Sequence, residues 1–465
     1  MPQLRYFLPL LACTLFTGAA RAENPPAGFS PLFNGKDLTG WYGWGTKDPT
    51  ELTKLTPEER AEYKKKSIEG GLPEGKAGPE NINAHWKVEN GEIVNDGKGL
   101  YLTSDKDFGD FELWLEYKAL PDGDSGVYLR GVPQVQIWDS TKGDPRGLGQ
   151  DKGSGGLWNN SPGAPGKDPS KKLDKPFGEW NQFKIKMIGE RVTVVFNGET
   201  VVDNAPLENY FARAAYQKAL KAGQVFDPNF IVDPVFAKGP IQLQTHGSEI
   251  RWRNVFIREI PAEEANKALV TDSDAGFTRL DNGKDLSNWQ GAVDNYEVKD
   301  GAIQCKPGKG GDLLTKEEYG DLTLRFEFKL PPAGNNGIAL RTPLGGHSAA
   351  DGLEIQVIDS DGYNAAHPTA PLKPYQYHGS IYHCFGAKHG YLRPVGEWNF
   401  EEIEVRGQKI KVTLNGTRIL DADFDKIDRT KLEHIPKGLD RKSGFIGFAG
   451  HSDPVAFRNV RVKKP

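Results

Sequence analysis

One ten-residue segment occurs twice in this chain, and at one polar position only the second copy carries a side chain that could move a proton. The later copy, DGLEIQVIDS, spans residues 351–360, and the earlier copy, GVPQVQIWDS, spans residues 131–140. Their apolar residues agree, but Glu354 in the later copy corresponds to Gln134 in the earlier one. A carboxylate can act as a general base, whereas an amide of the same size can only orient a substrate. We therefore expect any proton transfer to belong to the second copy.

Strand alternation predicts which polar side chains accompany this position. Successive residues of a strand point to opposite faces, so the polar residues between the apolar ones share one face of a sheet. In the first half of the chain these are Arg130, Gln134, Gln136, Gln244 and His246, and in the second half they are Arg341, Glu354, Gln356 and His451. Repeated Arg, Gln and His side chains favour a concave sugar-binding face. A solvated face with structural hydrogen bonds is the alternative.

A histidine-rich segment lies only in the second half. The segment HPTAPLKPYQYHGSIYHCFGAKHGY, residues 367–391, contains His367, His378, His383 and His389. Neutral imidazoles bind zinc and other transition metals, but these spacings match no standard metal motif. We therefore expect loop residues such as His378, Tyr382 and His383 to line a pocket. We predict no cofactor, and a metal is conceivable but unsupported.

These positions belong to a longer internal repeat. Six further pairs of segments match in the same order, from LFNGKDLTGW (32–41) with LDNGKDLSNW (280–289) to THGSEIRWRNVFI (245–257) with GHSDPVAFRNVRV (450–462). An ordered set of matches indicates a duplicated domain. We predict domain 1 over residues 28–260 and domain 2 over residues 275–465, joined by a short polar link.

The repeated segments are typical of β-strands. Apolar and polar residues alternate in FELWLEYKA and VTVVFNGETVV, and Asn197-Gly198 and Asn415-Gly416 lie between alternating runs, as in tight hairpins. Many short strands with glycine-rich turns predict an all-β sandwich in each domain. Domain 1 has two helical insertions, near residues 44–83 and 207–222. In the first, Thr56-Pro57 indicates a helix start and Gly70-Gly71 its end.

Composition and the N-terminus indicate an exported protein. The net charge is -4, from 59 basic and 63 acidic residues, with no basic block, so nucleic acid is not favoured as a partner. Residues 1–22 contain Arg5, an apolar run to about Thr17 and the small-x-small motif that ends at Ala22, which predicts a signal peptide. The run is shorter than a membrane span of about 20 residues. We expect a periplasmic or secreted protein without a membrane span, and a lipoprotein attached at Cys13 is the less favoured alternative.

The sequence leaves two covalent and quaternary questions open. Cys305 and Cys384 both lie in domain 2, and neither has a counterpart in domain 1. Export permits a disulfide between them, whereas two unreactive buried thiols are an equally acceptable outcome. The oligomeric state is not indicated.

The ordered motifs resemble the 3-keto-disaccharide hydrolase family. The motifs are WKVENGEI, DFELWLEYK, DSGVYLRG, QVQIWDS, GEWN, FNGE and IQLQTHG with RWRNV in domain 1, and GLEIQVIDS, HGSIY, GEWN and FRNVRV in domain 2. The resemblance covers nearly all of the mature chain, twice. It implies two tandem concanavalin A-like jelly-roll β-sandwiches. It also implies an exported bacterial protein that acts on carbohydrate, namely an oxidised glycoside or disaccharide.

The chemistry that this resemblance implies starts from a sugar with a ketone at C3. The ketone acidifies the proton at C2, a base removes that proton, the enolate expels the substituent at C1, and water adds later. Such a site needs a base, donors for the enolate oxygen and an acid for the leaving group. The base would be Glu354 or a nearby histidine, and Arg341 or His451 would stabilise the enolate. The predicted catalytic set is Glu354, His451, Arg341 and His378, and the predicted substrate-binding set is Gln356, Tyr382, His383, Arg130, Gln134, Gln136, Gln244 and His246.

Each copy departs from the family pattern. Gln134 stands where the family often has the acid, and Ala449 and Ser452 stand where domain 1 keeps Gln244 and Gly247. We therefore expect domain 2 to perform the chemistry and domain 1 mainly to hold sugar. The alternative is a non-catalytic protein with two glycan-binding domains. An ordinary glycosidase is less favoured, because it needs two carboxylates across the bond and the predicted face shows one.

Overall fold

The chain folds into two β-sandwiches that repeat one strand arrangement. A computed structural model describes residues 24–75, 80–270 and 274–465. The predicted signal peptide, residues 1–22, lies outside the described residues. The predicted all-β fold of two tandem jelly-roll sandwiches is confirmed, since each sandwich consists of one eight-stranded and one five-stranded antiparallel sheet.

The first sandwich contains strands β1 to β13. Their bounds are β1 Ser30–Pro31, β2 Trp41–Trp44, β3 Trp86–Glu89, β4 Glu92–Asn95, β5 Tyr101–Ser104, β6 Phe111–Ala119, β7 Asp124–Leu129, β8 Val132–Trp138, β9 Asn181–Ile188, β10 Arg191–Phe196, β11 Glu199–Pro206, β12 Gln242–Leu243 and β13 Ile250–Glu259. The large sheet has the order β11-β10-β9-β6-β13-β4-β3, with β1 beside β13. The small sheet has the order β2-β5-β12-β7-β8.

The second sandwich contains strands β14 to β26 in the equivalent order. Their bounds are β14 Thr278–Arg279, β15 Trp289–Gly291, β16 Tyr296–Lys299, β17 Ala302–Cys305, β18 Gly310–Tyr319, β19 Leu322–Lys329, β20 Asn335–Thr342, β21 Leu353–Ile358, β22 Asn399–Arg406, β23 Lys409–Leu414, β24 Thr417–Asp423, β25 Gly444–His451 and β26 Ala456–Lys463. The large sheet runs β16-β17-β26-β19-β22-β23-β24, with β14 beside β26. The small sheet runs β15-β18-β25-β20-β21.

Within the described parts of the chain, six short helices accompany the sandwiches. They are α1 Thr50–Thr53, α2 Pro57–Glu69, α3 Tyr210–Lys221, α4 Ala262–Val270, α5 Ser348–Asp351 and α6 Ser360–Ala366. The two predicted insertions are confirmed as α2 and α3. Helix α2 begins at a capping box between Thr56 and Glu59 and ends at Gly70, whose φ of 104° suits glycine. The sequence did not predict α4 in the link or α5 and α6 in domain 2.

The apolar residues of the repeated ten-residue segment form the core of each sandwich. Val135 and Ile137 in β8, like Ile355 and Val357 in β21, are almost completely buried between the two sheets. The predicted Asn-Gly hairpins are also present, because both residues of each turn have positive φ, as a tight hairpin turn requires. The repeat therefore preserves both the core and the turns of one sandwich.

Two further sequence questions have simple structural answers. Cys305 is buried and Cys384 is half-buried, and both are free thiols. Among the described residues, no helix is both long enough and apolar enough to cross a membrane.

A charged contact connects the two sandwiches. The carboxylate of Asp110, just before β6, lies 3.0 Å from Arg130 Nη2 in domain 1 and 3.3 Å from Arg393 Nη2 in domain 2. The other end of the Arg393 guanidinium donates to the side chain of Asn266 in α4 and to the carbonyl of Trp398. Because these groups are largely removed from water, Arg393 holds domain 2 against both domain 1 and the linking helix.

We predict that Arg393→Ala destabilises the protein by about 1–3 kcal/mol, since it leaves several buried acceptors without their donor. Thermal denaturation should show a midpoint several degrees lower. Lys431→Ala is the matched control, because its ion pair with Asp428 lies on the surface and contributes little. Equal midpoints for the two variants would show that the Arg393 contact does not stabilise the protein.

Candidate active site

The candidate site lies on the outer face of the five-stranded sheet of domain 2. In β21, Glu354 and Gln356 alternate with the core residues and therefore point away from the core. The strand register places the following residues on the same face: Gly337 and Ala339 in β20, Gly447, Ala449 and His451 in β25, and Asp312 in β18. Four of these are Gly or Ala, so the centre of the face is a floor without large side chains.

Glu354 and His451 form a close pair on this floor. Glu354 Oε1 lies 3.6 Å from His451 Nε2, and the side chains of Glu354 and His451 are 2% and 40% exposed. The hydrogen bond to Glu354 is the main cause that raises the pKa of His451, with further attraction from Asp312 and Asp453, while burial opposes it. Gly337 makes room for the pair, because a Cβ atom there would overlap the Glu354 carboxylate. The pair thus combines a buried base with a partly exposed cationic donor.

Asp312 is a carboxylate on this face that the sequence analysis missed. Its Oδ2 accepts the Ser348 backbone N–H at 2.9 Å, and its Oδ1 accepts the Ser348 hydroxyl at 3.1 Å. The residue is half-buried, and burial is the main cause that raises its pKa. Alternation with the buried Leu313 could have placed it on the outer face. The comparison between repeats hid it, because the equivalent residue in domain 1 is Tyr101.

An aromatic wall borders the floor beside Glu354. We define it by four rings, those of Tyr375, Tyr382, His383 and His434. The other three rings lie around His383 at centroid distances of 4.3 to 5.4 Å. The Tyr382 N–H donates to the Glu354 carbonyl at 2.9 Å and fixes the wall to β21. Burial lowers the pKa of His383, so its imidazole is favoured in the neutral form. The sequence predicted Tyr382 and His383 in this pocket, but it did not predict Tyr375 or the distant His434.

Gln356 is the remaining predicted residue of the domain 2 face. Its Nε2 donates to Asn335 Oδ1 at 2.6 Å, and its backbone is bonded to Ser380 and Gly379 of the histidine-rich segment. It therefore connects the floor to the loop that carries the aromatic wall.

The equivalent face in domain 1 is filled with side chains. The register equates Tyr128 with Ala339, Tyr101 with Asp312, Gln242 with Gly447 and Gln244 with Ala449. All four domain 1 residues are buried. Strand β2, at the edge of the same sheet, packs against α1, where Tyr42 and Trp44 contact Leu52. Domain 1 therefore has the sheet of the candidate site, but it carries large side chains where domain 2 has Gly, Ala or Asp.

The predicted sugar-binding residues of domain 1 mostly bond to one another. Gln134 Nε2 donates to Gln136 Oε1, and Gln136 Nε2 donates to Asp124 Oδ1 at 3.0 Å. Gln244 Nε2 reaches the Tyr101 hydroxyl at 3.3 Å. His246 alone is well exposed and lies 3.1 Å from Asp124 Oδ2, which raises its pKa. Gln134, Gln136 and Gln244 are buried, as Glu354 and Gln356 are in domain 2, so sugar binding by this face stays a prediction.

The structure does not bring Arg130 or Arg341 to these faces. Both have positive φ, 52° and 49°, so the alternation of the preceding strand ends before them. Arg130 is buried and donates to the carbonyls of Gly109 and Phe236 as well as to Asp110. It lines a cavity of about 300 Å³ between the domains, whose lining does not include Glu354. Arg341 is buried at the equivalent place and donates to the Gly407 carbonyl.

His378 also lies away from the candidate site. Its Nε2 is 2.8 Å from Glu401 Oε2, and its ring stacks on Phe328 at 5.0 Å. Glu401 is completely buried and Phe328 belongs to the core of domain 2, so the pair lies between the sheets. The predicted catalytic position of His378 is corrected for this reason.

The other histidines of the segment do not gather around a metal. His367 bonds the Tyr363 carbonyl, and His389 lies 3.2 Å from Asp361. Within residues 24–75, 80–270 and 274–465, no group of three or more His, Cys, Asp or Glu side chains could hold a metal ion.

Comparisons with known proteins identify the family. The model of the 3-keto-alpha-glucoside-1,2-lyase-like domain matches residues 28–258 and again residues 276–463. A 3-keto-disaccharide hydrolase of Bacteroides thetaiotaomicron is 26% identical over 244 residues, which are 43% of this chain and 82% of that protein. Two solved structures from Parabacteroides distasonis, each described as a "putative glycosyl hydrolase", are 25% and 28% identical. They cover 42% and 41% of this chain and 98% and 99% of theirs, with TM-scores of 0.38 and 0.36. The resemblance seen in the motifs is confirmed, and the chain belongs, in both of its halves, to the family of 3-keto-alpha-glucoside-1,2-lyase-like domains.

Proposed function

We propose that the protein cleaves 3-keto-glycosides and that domain 2 contains the active site. The observation that carries this proposal is the Glu354–His451 pair on the floor of the domain 2 sheet. The family and the named hydrolase among its relatives support the reaction class. The side chains support the choice of domain, because domain 1 has Gln134 in place of the Glu354 carboxylate and has Tyr128 and Gln244 where domain 2 has Ala339 and Ala449.

Glu354 is the proposed base. Its carboxylate can take a proton, is almost completely removed from water, and has His451 Nε2 as a charged neighbour 3.6 Å away on the floor. In the proposed reaction Glu354 takes the proton from C2 of a sugar whose C3 is a ketone.

His451 is the proposed donor to the enolate oxygen. Glu354 favours its charged form, and its partial exposure leaves a face for the substrate. A cation aimed at developing negative charge stabilises the transition state more than the ground state. Arg341 was the alternative donor, but it is buried at the far end of β20 and does not reach this face.

The aromatic wall is the proposed sugar-binding surface. Its rings can stack against the apolar face of a sugar, and neutral His383 and the amide of Gln356 can bond hydroxyl groups. The wall and the floor meet at Glu354, so a ring held by the wall presents its carbon atoms to the base.

From residues 1–22 alone we also propose that the protein is exported to the periplasm or beyond.

The alternative of two glycan-binding domains without catalysis is less favoured. It needs open faces in both domains, whereas the glutamines of domain 1 are buried and bonded to one another. Incubation of the purified protein with a 3-keto-glycoside distinguishes the two functions. Release of sugar supports catalysis, and binding without release supports the alternative.

We predict that Glu354→Gln lowers the turnover of a 3-keto-glycoside by a factor of about 10² to 10⁴, the usual contribution of a general base. Steady-state release of the aglycone sugar measures it. Asp124→Asn is the matched control, since it removes the carboxylate that pairs with the histidine of domain 1, and its turnover should stay close to wild type. If the two variants lose turnover equally, Glu354 is not the base.

We predict a raised His451 pKa that depends on Glu354. Two-dimensional NMR titration should show His451 titrating above its ordinary value of about 6.5 in wild type and closer to it in Glu354→Gln. Since the folded-state pKa is the higher one, the pair adds stability that is fully present below about pH 6.5 and lost as the pH rises through the raised value. The value of kcat/KM should fall over the same alkaline range. The His451 resonance is assigned by its absence from the His451→Asn variant. If this resonance titrates identically in wild type and in Glu354→Gln, the coupling is contradicted.

A further inference from the structure

Asp312 faces the substrate floor from the side opposite Glu354. Strand β25 lies between β18 and β20, so His451 and the small residues of β25 separate Asp312 from Glu354. Asp312 lies opposite Ala449, which has too short a side chain to cover it. A sugar on this floor would therefore have one carboxyl group on each side.

The surroundings of Asp312 orient it and couple it to the pair. The N–H and hydroxyl of Ser348 bond one oxygen each, so the carboxyl group is held in a fixed plane. The charge of Glu354 acts on Asp312, and the charge of Asp312 acts on His451. Asp312 therefore lies close enough to the pair to act in the same site.

The proposed reaction lacks one group, and Asp312 matches it. Glu354 takes a proton and His451 holds the enolate oxygen, but the leaving oxygen at C1 needs a proton donor. We propose that Asp312 is the general acid that protonates the leaving group at C1. This inference rests on the proposed function and adds a second carboxyl group to it. Burial supports the assignment, because it raises the pKa of Asp312 and favours the protonated form that an acid requires.

The proton and electron balance closes over one hydrolytic cycle. Glu354 takes the C2 proton, and the C–H electron pair forms the enolate. When the enolate collapses, C3=O re-forms, C1=C2 forms, and the C1–O pair leaves with the oxygen, which takes the Asp312 proton. Water then adds to C1, gives a proton back to Asp312, and C2 recovers its proton from Glu354. Both carboxyl groups return to their starting states without an oxidant or reductant.

A structural role for Asp312 is the competing explanation. Its oxygens bond the first residue of α5, so it could serve only to hold that helix. Asp351 provides the matched control, because its side chain bonds the His347 N–H at the same helix start and pairs with Lys437. Asp351→Asn therefore disturbs α5 without changing a group on the floor.

The experiment compares two 3-keto-glucosides, one with a nitrophenol and one with a sugar as leaving group. A nitrophenolate leaves without protonation, whereas a sugar alkoxide does not. Asp312→Asn should lower kcat by at least about 10² for the sugar leaving group and by less than about tenfold for nitrophenol, with KM little changed. Asp351→Asn should affect both substrates equally and weakly. Asp312→Glu keeps an acid and should recover part of the rate with the sugar leaving group. This variant also keeps the proposal testable if Asp312→Asn does not fold.

The outcomes separate the two proposals. If wild type releases product from neither substrate, the proposed function fails and the role of Asp312 fails with it. If wild type turns over but Asp312→Asn loses both substrates equally, or behaves like Asp351→Asn, only the role of Asp312 is overturned. A loss confined to the sugar leaving group supports both.

Discussion

The candidate site depends on burying one carboxylate, and the rest of the sheet accommodates it. A carboxylate out of water is costly unless a charged or hydrogen-bonding partner lies close to it. His451 is that partner for Glu354, and glycine at position 337 gives the carboxylate its space. In domain 1 the equivalent strand position carries Gln134, an uncharged amide whose Nε2 donates to Gln136 Oε1. The exchange of the Glu354 carboxylate for the Gln134 amide therefore separates a face that must compensate a buried charge from a face that can be packed.

Duplication explains why both faces can be compared residue by residue. The two small sheets have the same strand order, so their floors can be compared position by position, although β7–β8 has a register shift that β20–β21 lacks and α5 lies only in the β20–β21 connection. In each domain a histidine lies beside an acid, but the acid is on a different strand in the two domains. Asp124 in β7 pairs with His246, whereas Glu354 in β21 pairs with His451. The acidic partner of the equivalent histidine therefore lies on a different strand in each copy, although the order of the strands is the same.

Alternation along strands predicted as much of the site as regular backbone permits. It placed Glu354, Gln356 and His451 on one face correctly because β21 and β25 are regular there. It misplaced Arg130 and Arg341 because a left-handed residue ends the alternation. Loop residues follow no such period, so the sequence located Tyr382 and His383 only by their proximity to the histidines. It could not place His378 in the core or bring His434 to the wall, because both positions depend on contacts distant in sequence.

The filled face of domain 1 changes what that domain contributes. Its glutamines, expected to hold sugar, are buried and bonded to neighbouring side chains, and its Asp110 contacts Arg393 of the other domain. Arg130 belongs to that interface rather than to a sugar site. The segment around Lys388 and Tyr391, which follows the aromatic wall, contacts domain 1, since Lys388 pairs with Asp233 and the Tyr391 hydroxyl donates to the Pro234 carbonyl. Domain 1 therefore supports the loop that carries Tyr382 and His383.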